Sequence, residues 1–498
     1  MVWLAGAIVL LWLARGPVVL LVAALALCVP RVRWWVQDRL HVSRRATAWA
    51  AGVAVAACGI VLVVPDGWLP VPPAPGALAG PAYVGRPASP HPVATEAPQN
   101  PHRVGGTAAA RPGPLGLQPE VETAWFGLQR CGRLEVASSG MVVATCTGRG
   151  GPELRLVDPT DLVPVATREL PDDPTCAGDA FYVDDQDRAV VATGDREVVA
   201  VRTSTGDDEA DLPTDATWDL KPYVPFGDCL VDLGPDWSGR IWWVSEQGLV
   251  GTIDPSSGAV GVHDLGEPVR HGLVVDPDGG VYVATDDAVH RLGAGPDGVP
   301  VVGWTAPAEH ASGSAPVLLD GGTLAVTDEA DGRLQVVVLS RGTGEQVCRQ
   351  AVFGEDDGAT SSRLAALGGS VVVTNNHGYS SPRSALLGFT TSPGIARVDV
   401  VDGVCSERWS SDQVSPASGA VASWPNGLLY AWTKRPSLTG VSAWYLTALD
   451  AATGRSMWSV RTGTGVLAGS DGSELLVGTD ATVWVGTLSG LVRVRDRA

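Results

Sequence analysis

The chain repeats itself, and repetition constrains its fold more than any other feature. The stretch Trp444–Thr462, WYLTALDAATGRSMWSVRT, alternates apolar residues, turns at Asp450-Ala-Ala-Thr453-Gly454 and alternates again through Trp458 and Val460. Period-two alternation on both sides of a Gly-containing turn reads as strand, turn, strand. Eight segments share a related pattern, an apolar strand, a short Gly or Asp turn and a second apolar strand. They begin at Leu134, Phe181, Leu230, Gly272, Pro316, Arg363, Ala420 and Val466. Taking Val142, Val190, Ile241, Val281, Leu324, Val371, Leu429 and Leu475 as equivalent, successive copies lie 40 to 58 residues apart.

After most copies a second hairpin follows, as in LRLVDPTDLVPVAT, VGTIDPSSGAVGVH and LTALDAATGRSMW. Two hairpins make a four-stranded antiparallel sheet of about 40–50 residues, the size of one propeller blade. A single such sheet cannot bury both faces, whereas sheets packed radially in a closed ring can. The expected fold is therefore an all-β, eight-bladed β-propeller over residues 120–498, with seven blades as the alternative if a terminal copy is incomplete. Val121–Leu128 is placed to add a strand to the last blade and close the ring.

The N-terminal part reads differently. Val2–Val29 and Ala46–Val64 are almost wholly apolar, and each matches the roughly 20 residues a membrane helix needs. Between them, residues 30–45 carry Arg31, Arg33, Arg39, Arg44 and Arg45 against Asp38 alone, which places this loop in the cytoplasm. The expectation for residues 1–64 is thus a two-helix plasma-membrane anchor with the long C-terminal part outside the cell. Arg15-Gly16-Pro17 interrupts the first span, costing membrane energy and kinking the helix. Residues 65–119 hold 14 prolines and few apolar runs, and read as a disordered, extended spacer.

Charge follows the same division. Residues 1–64 have six Arg and one Asp, and the net −19 of the whole chain leaves −24 for the remainder. With only Lys221 and Lys434 as lysines, an acidic exterior argues against nucleic-acid binding. Cys28 and Cys58 lie in the spans; the other six cysteines lie outside. An even count in an oxidising compartment implies disulfides. Six cysteines allow 15 pairings; Cys131 and Cys146 sit symmetrically about a turn and should face each other, and sequential pairing, with Cys176–Cys229 and Cys348–Cys405, is the expectation for the others, whose connectivity the sequence leaves open.

Asp450, Gly454 and Trp458, with Ala448-Leu449 before them, resemble the tryptophan-docking repeat of quinoprotein-type (PQQ-like) β-propellers. In that family the Asp and Gly shape the turn and the Trp packs on the neighbouring blade. Asp158, Asp254 and Asp399 keep the acid; Gly206, Gly258 and Gly344 keep the glycine. The middle of the chain, PDWSGRIWW and DPDGGVYVATD, looks more like NHL or streptogramin-lyase propellers. Quinoprotein dehydrogenases carry a vicinal Cys-Cys over the cofactor, and no adjacent cysteines occur here. No cofactor is therefore inferred.

Chemistry-bearing motifs are sparse. There is no HExxH, GxSxG or Walker loop. His271 begins a strand whose equivalents line a channel, and His377 follows Asn375-Asn376 at a strand end, making both candidate catalytic residues. Asp276 with Asp278, and Asp328 with Asp331, have the look of calcium loops without matching an EF-hand; tight acidic turns account for both. The favoured expectation is a non-enzymatic binding or scaffold module of a bacterial cell envelope, bound to membrane or envelope proteins or to a cell-wall ligand. It resembles in kind the assembly scaffold lipoprotein BamB, with helices in place of a lipidated Cys. The rivals are a lyase or quinone-dependent dehydrogenase with its site at the channel mouth, and a carbohydrate-binding propeller exposing Trp237, Trp242, Trp304 and Trp432.

Overall fold

The computed structural model describes residues 26, 29–40, 80–93, 98–104, 108–173, 176, 180–204, 212–330, 332–386, 388–435 and 441–497. Apart from residues 26 and 29, the expected spans 2–29 and 46–64 lie outside them. Among the described residues, no helix is long and apolar enough to cross a membrane. The basic stretch expected as a loop contains an 11-residue helix, Pro30–Leu40, with Trp34 and Trp35 exposed on it.

Eight antiparallel sheets follow, one per repeat. Blade 1 runs from Arg130–Val136 inward to Pro164–Glu169 outward, and blade 2 from Phe181–Val183 to Thr214–Asp219. Blades 3 to 6 follow in the same order, their innermost strands being Leu230–Pro235, Val274–Val275, Val317–Leu319 and Ala365–Leu367. Blade 7 comprises Val421–Ser423, Leu428–Arg435, Ala443–Asp450 and Ser456–Thr464. In blade 8 the C-terminal stretch supplies only Leu475–Val477, Val483–Thr487 and Gly490–Asp496; the outer strand is Pro119–Trp125, paired from Pro119↔Asp496 to Trp125↔Gly490. Eight blades close in this way, with the N-terminal strand bonded to the C-terminal one.

Alternation produces the packing. Inward positions of neighbouring sheets meet, so that Leu334, Val336 and Val338 of blade 5 share a buried cluster with Val371, Val373 and Val398 of blade 6. Tyr430, Trp432 and Trp458 of blade 7 share one with Val483, Val485 and Val492 of blade 8. Each fully buried aliphatic side chain contributes about 1.5–3 kcal/mol, which is how short strands with few local contacts are held.

Three disulfides join Cys131 to Cys146, Cys176 to Cys229 and Cys348 to Cys405. The first links directly opposed residues within blade 1, with Cα atoms 4.0 Å apart. The second ties the loops entering blades 2 and 3, and the third clips the outer strands of blades 5 and 6.

The Pro-rich stretch differs from the expected free spacer, because its described parts are packed on the propeller. Tyr83–Gly85 adds a fifth strand to the outer edge of blade 7. His91 and Val93 donate to the carbonyls of Asn426 and Trp424 at 3.0 and 3.1 Å. The chain then reaches blades 2 and 3, where Val104 N donates to Val183 O and Asn100 Nδ2 to Pro235 O, both at 2.9 Å. It returns to blade 7, where Trp424 N donates to Ala109 O at 2.7 Å. Low hydrophobicity did not leave this segment loose, because main-chain groups, which any sequence supplies, carry most of its bonds.

Candidate functional site

The innermost strands enclose a central cavity of about 1070 Å³. One end carries the turn that follows each innermost strand, and there the returning N-terminal segment contributes Pro98, Asn100, Arg103, Ala108 and Ala109 to the wall. Arg103 pairs with Glu135 of blade 1 across this end. The opposite end carries the loops between blades.

Toward that loop face, four charged side chains from different blades meet in a ring. Arg133 and Asp232 project from the innermost strands of blades 1 and 3, while Arg363 and Glu474 stand just ahead of the innermost strands of blades 6 and 8. Arg133 NH1 lies 2.6 Å from Asp232 Oδ1, and Arg363 NH2 3.3 Å from Asp232 Oδ2. Arg363 Nε lies 2.5 Å from Glu474 Oε1, and Arg133 Nε 3.9 Å from Glu474 Oε2. The Asp232–Arg363 contact joins blade 3 to blade 6, so the ring reaches across the cavity.

Burial sorts the four residues. The Asp232 side chain is 5% exposed and also accepts from Leu273 N at 3.2 Å. Gly272 permits this approach, since a Cβ there would stand 1.9 Å from Asp232 Oδ2. Burial works against the Arg133 charge, but Asp232 and Glu474 outweigh it and hold the guanidinium protonated above its ordinary range. Arg363 and Glu474 remain 44% and 41% exposed.

The residues singled out in the sequence fare unevenly. His271 does line the cavity, and burial followed by the neighbouring Arg270 charge lowers its pKa. Arg270 itself pairs with Asp286 at 3.0 Å. His377 lies on the loop face of blade 6, in a segment organised by its neighbours: Asn375 Oδ1 accepts from His377 N at 2.9 Å. The buried Asn376 accepts from Ser362 Oγ at 2.8 Å and donates to Ser415 O at 3.0 Å. Asn376 thus ties the loop entering blade 6 to the loop leading into blade 7.

Asp276 is a turn organiser. Its Oδ1 accepts from the amides of Asp278 and Gly280 at 2.9 and 2.7 Å, and its Oδ2 from the Tyr282 hydroxyl at 2.6 Å. Asp184 and Asp236 hold the corresponding turns of blades 2 and 3 in the same way. Asp328 is buried and accepts from His310 N at 2.7 Å, while Asp331 lies outside the described residues. Among the described residues, no group of three or more His, Cys, Asp and Glu is placed to hold a metal ion.

Trp242 and Trp432 are fully buried, and Trp304 packs on the Gly344 turn of the next blade, donating from Nε1 to Arg341 O at 2.9 Å. Only Trp237 of this set borders the cavity.

Trp409 sits on the Gly454 turn in the manner expected of a docking tryptophan. Trp458 departs from that expectation, packing on Gly116 of the N-terminal segment instead of on a turn of blade 8. The cause is topological: the last two strands of blade 8 come from opposite ends of the chain, so no hairpin turn joins them. Sequence reading missed the ring of Arg133, Asp232, Arg363 and Glu474. The available signal was a charged residue in or just ahead of the first strand of an otherwise apolar repeat.

No family model matches the chain. A protein of Archaeoglobus fulgidus is 24% identical over a 324-residue alignment that covers 55% of this chain and 62% of that protein, less than two thirds of its length. The quinohemoprotein alcohol dehydrogenase of Comamonas testosteroni has a similar structure, with a TM-score of 0.51, 12% identity, and 80% of this chain and 81% of that one covered. BamB from Moraxella catarrhalis aligns at a TM-score of 0.43 and 13% identity, over 75% of this chain and 92% of its own. At 12% identity the likeness to the dehydrogenase is one of fold: this chain is an eight-bladed β-propeller.

Proposed function

We propose that this protein is a non-catalytic binding module of the cell envelope, carried on the outer side of the plasma membrane by the two apolar segments 2–29 and 46–64. The observation that carries the non-catalytic part is that three of the five carboxylates on the channel wall are paired with arginines. Asp232 and Glu474 each face an arginine at hydrogen-bond distance, and Glu135 faces Arg103. A general base needs a carboxylate or imidazole free to take a proton near neutral pH. The oxygens of these carboxylates are already engaged by arginines, and the neighbour of His271 is the Arg270 cation. A propeller rigidified by three disulfides, with a polar cavity and loops presented on one face, suits recognition of a ligand or partner.

The envelope placement rests on the sequence: basic residues between the two apolar segments, net −24 beyond them, and six cysteines in the propeller. Expressed in a bacterium, the full chain should remain with the membrane pellet after alkaline carbonate washing. Protease added to intact spheroplasts should remove the propeller. Release by carbonate, or protection from protease until the membrane is permeabilised, would refute the placement. Turnover of a small molecule by the purified full chain, lost on His271→Ala, would refute the non-catalytic reading.

A further inference from the structure

The ring of four charges has a fixed half and an exchangeable half. Asp232 is buried against Arg133 and the Leu273 amide, and removing one member of such a pair leaves an uncompensated buried charge. Arg363 and Glu474 are over two-fifths exposed, and ion pairs of that kind add little net stability, so exchanging one partner is cheap. Glu474 also serves its two arginines unequally: it touches Arg363 Nε at 2.5 Å but stands 3.9 Å from Arg133 Nε, beyond hydrogen-bond reach. A side chain anchored ahead of blade 8 fails to bridge both, whereas an untethered carboxylate is free to sit between them.

We propose that the channel binds its ligand through a carboxylate group, which displaces Glu474 from Arg363 and bridges Arg363 to Arg133. With Glu474 swung away, two guanidinium groups face the single carboxylate of Asp232, leaving one positive charge for one anionic group. Guanidinium presents paired N–H donors that match a carboxylate. Space is available beside the ring, where Gly132, Ala417, Gly419 and Gly472 form the wall of the 1070 Å³ cavity, large enough for a drug-sized molecule.

The proposal deepens the binding-module reading and rests on it, yet the two fail separately. Turnover of a bound carboxylate would remove the non-catalytic reading and leave the site; absence of binding would remove the site and leave the module. The test is ligand-observed NMR on the full chain in detergent, comparing benzoate with benzamide, which has nearly the same shape and no charge. Benzoate should bind and benzamide should not. Glu474→Gln removes the internal competitor and should tighten benzoate about tenfold, while Arg363→Gln should abolish binding at an unchanged melting temperature. Equal behaviour of benzoate and benzamide, or benzoate binding indifferent to both substitutions, would overturn the proposal. Should Arg363→Gln melt early, Arg363→Lys, which keeps the charge and loses the fork, should still weaken benzoate; unchanged affinity there would count against the site.

Discussion

Two junctions of the propeller solve one packing problem by different means. Between blades 6 and 7, Trp409 lies on a turn made by five consecutive residues, Asp450 to Gly454. Asp450 Oδ1 accepts from the amides of Ala452 and Thr453 at 3.1 and 2.8 Å, Gly454 takes φ +69°, and Trp409 Nε1 donates to Ala451 O at 3.0 Å. Between blades 7 and 8, Trp458 lies on a turn assembled from both ends of the chain. Asp496 Oδ2 accepts from the amides of Leu115 and Gly116 at 2.7 and 3.1 Å, and Gly116 takes φ +79°. Acid and glycine are rebuilt from residues 380 apart. The carbonyl is not: among the described residues, Trp458 Nε1 has no hydrogen-bond partner. The docking motif is thus a spatial arrangement, which one stretch of chain or two can supply, and ring closure puts the second version at the mercy of the N-terminal segment.

Removing that segment should have the largest effect. Deleting residues 80–116 from the full chain takes away Gly116, the fifth strand on blade 7 and the Pro114 carbonyl that accepts from Tyr430 OH at 2.8 Å. It uncovers part of Trp458 and Tyr430, both fully buried in the intact protein. At about 25 cal/mol per Å² and 150–250 Å² per aromatic side chain, the loss is on the order of 5 kcal/mol. Calorimetry should show a lower and broader transition. An unchanged transition would mean the segment is an ornament and the two junctions are not equivalent.

Matched substitutions test the equivalence more finely. A Cβ at Gly454 would stand 2.4 Å from the Trp409 ring, and one at Gly116 would stand 2.5 Å from the Trp458 ring. Gly454→Ala and Gly116→Ala should therefore each cost about 2–4 kcal/mol, from the positive φ and the forced displacement of the indole. Equal denaturant midpoints would sharpen the comparison; a small effect at Gly116 alone would show that the split turn yields where the continuous one does not. The acids should separate next. Asp496→Ala releases two amides of a distant segment and should cost about 2 kcal/mol, whereas Asp450→Ala unties only its own turn and should cost about 1 kcal/mol. The reverse order would remove the claim that closure hangs on Asp496.

How legible each region was follows from the same distinction. The Asp450–Gly454 turn could be read because its acid, glycine and flanking strands are contiguous, and the same holds for the eight hairpins and the cysteines paired between neighbouring repeats. The split turn could not, because nothing local links Gly116 to Asp496. The Pro-rich segment looked free because composition records side chains, while its contacts with Asn426, Trp424, Val183 and Pro235 run largely through main-chain groups. The charged ring stayed hidden for a related reason. Arg133, Asp232, Arg363 and Glu474 share no motif, and they converge only once the phase of four separate blades is known. His271 lines the channel from the loop just ahead of Val274–Val275, although the sequence reading has it begin that strand.

The smallest expected effect distinguishes the junctions at their loop-face ends. There the contact from the blade 7 entry to the blade 8 entry is neutral, Ser418 Oγ to Ser470 Oγ at 2.6 Å. The corresponding end of the blade 6–7 junction holds Lys434, whose buried ammonium donates to Phe389 O in the blade 6 loop. Burial pushes the Lys434 pKa down to about 8, against about 10.4 for a free lysine. Below pH 8 both folded and unfolded chains carry this proton, and the cost of burying the charge is fully present. Between pH 8 and about 10.4 the unfolded chain still holds a proton that the folded chain has released, so this residue makes stability rise with pH. From pH 7 to 9 the gain is about 1 kcal/mol. Lys434→Met removes the titrating group. The difference in unfolding free energy between wild type and variant should shift by that amount between pH 7 and 9, in favour of the wild type as pH rises. A difference that stays constant would mean that Lys434 reaches solvent, and that the two junctions are alike at this end after all.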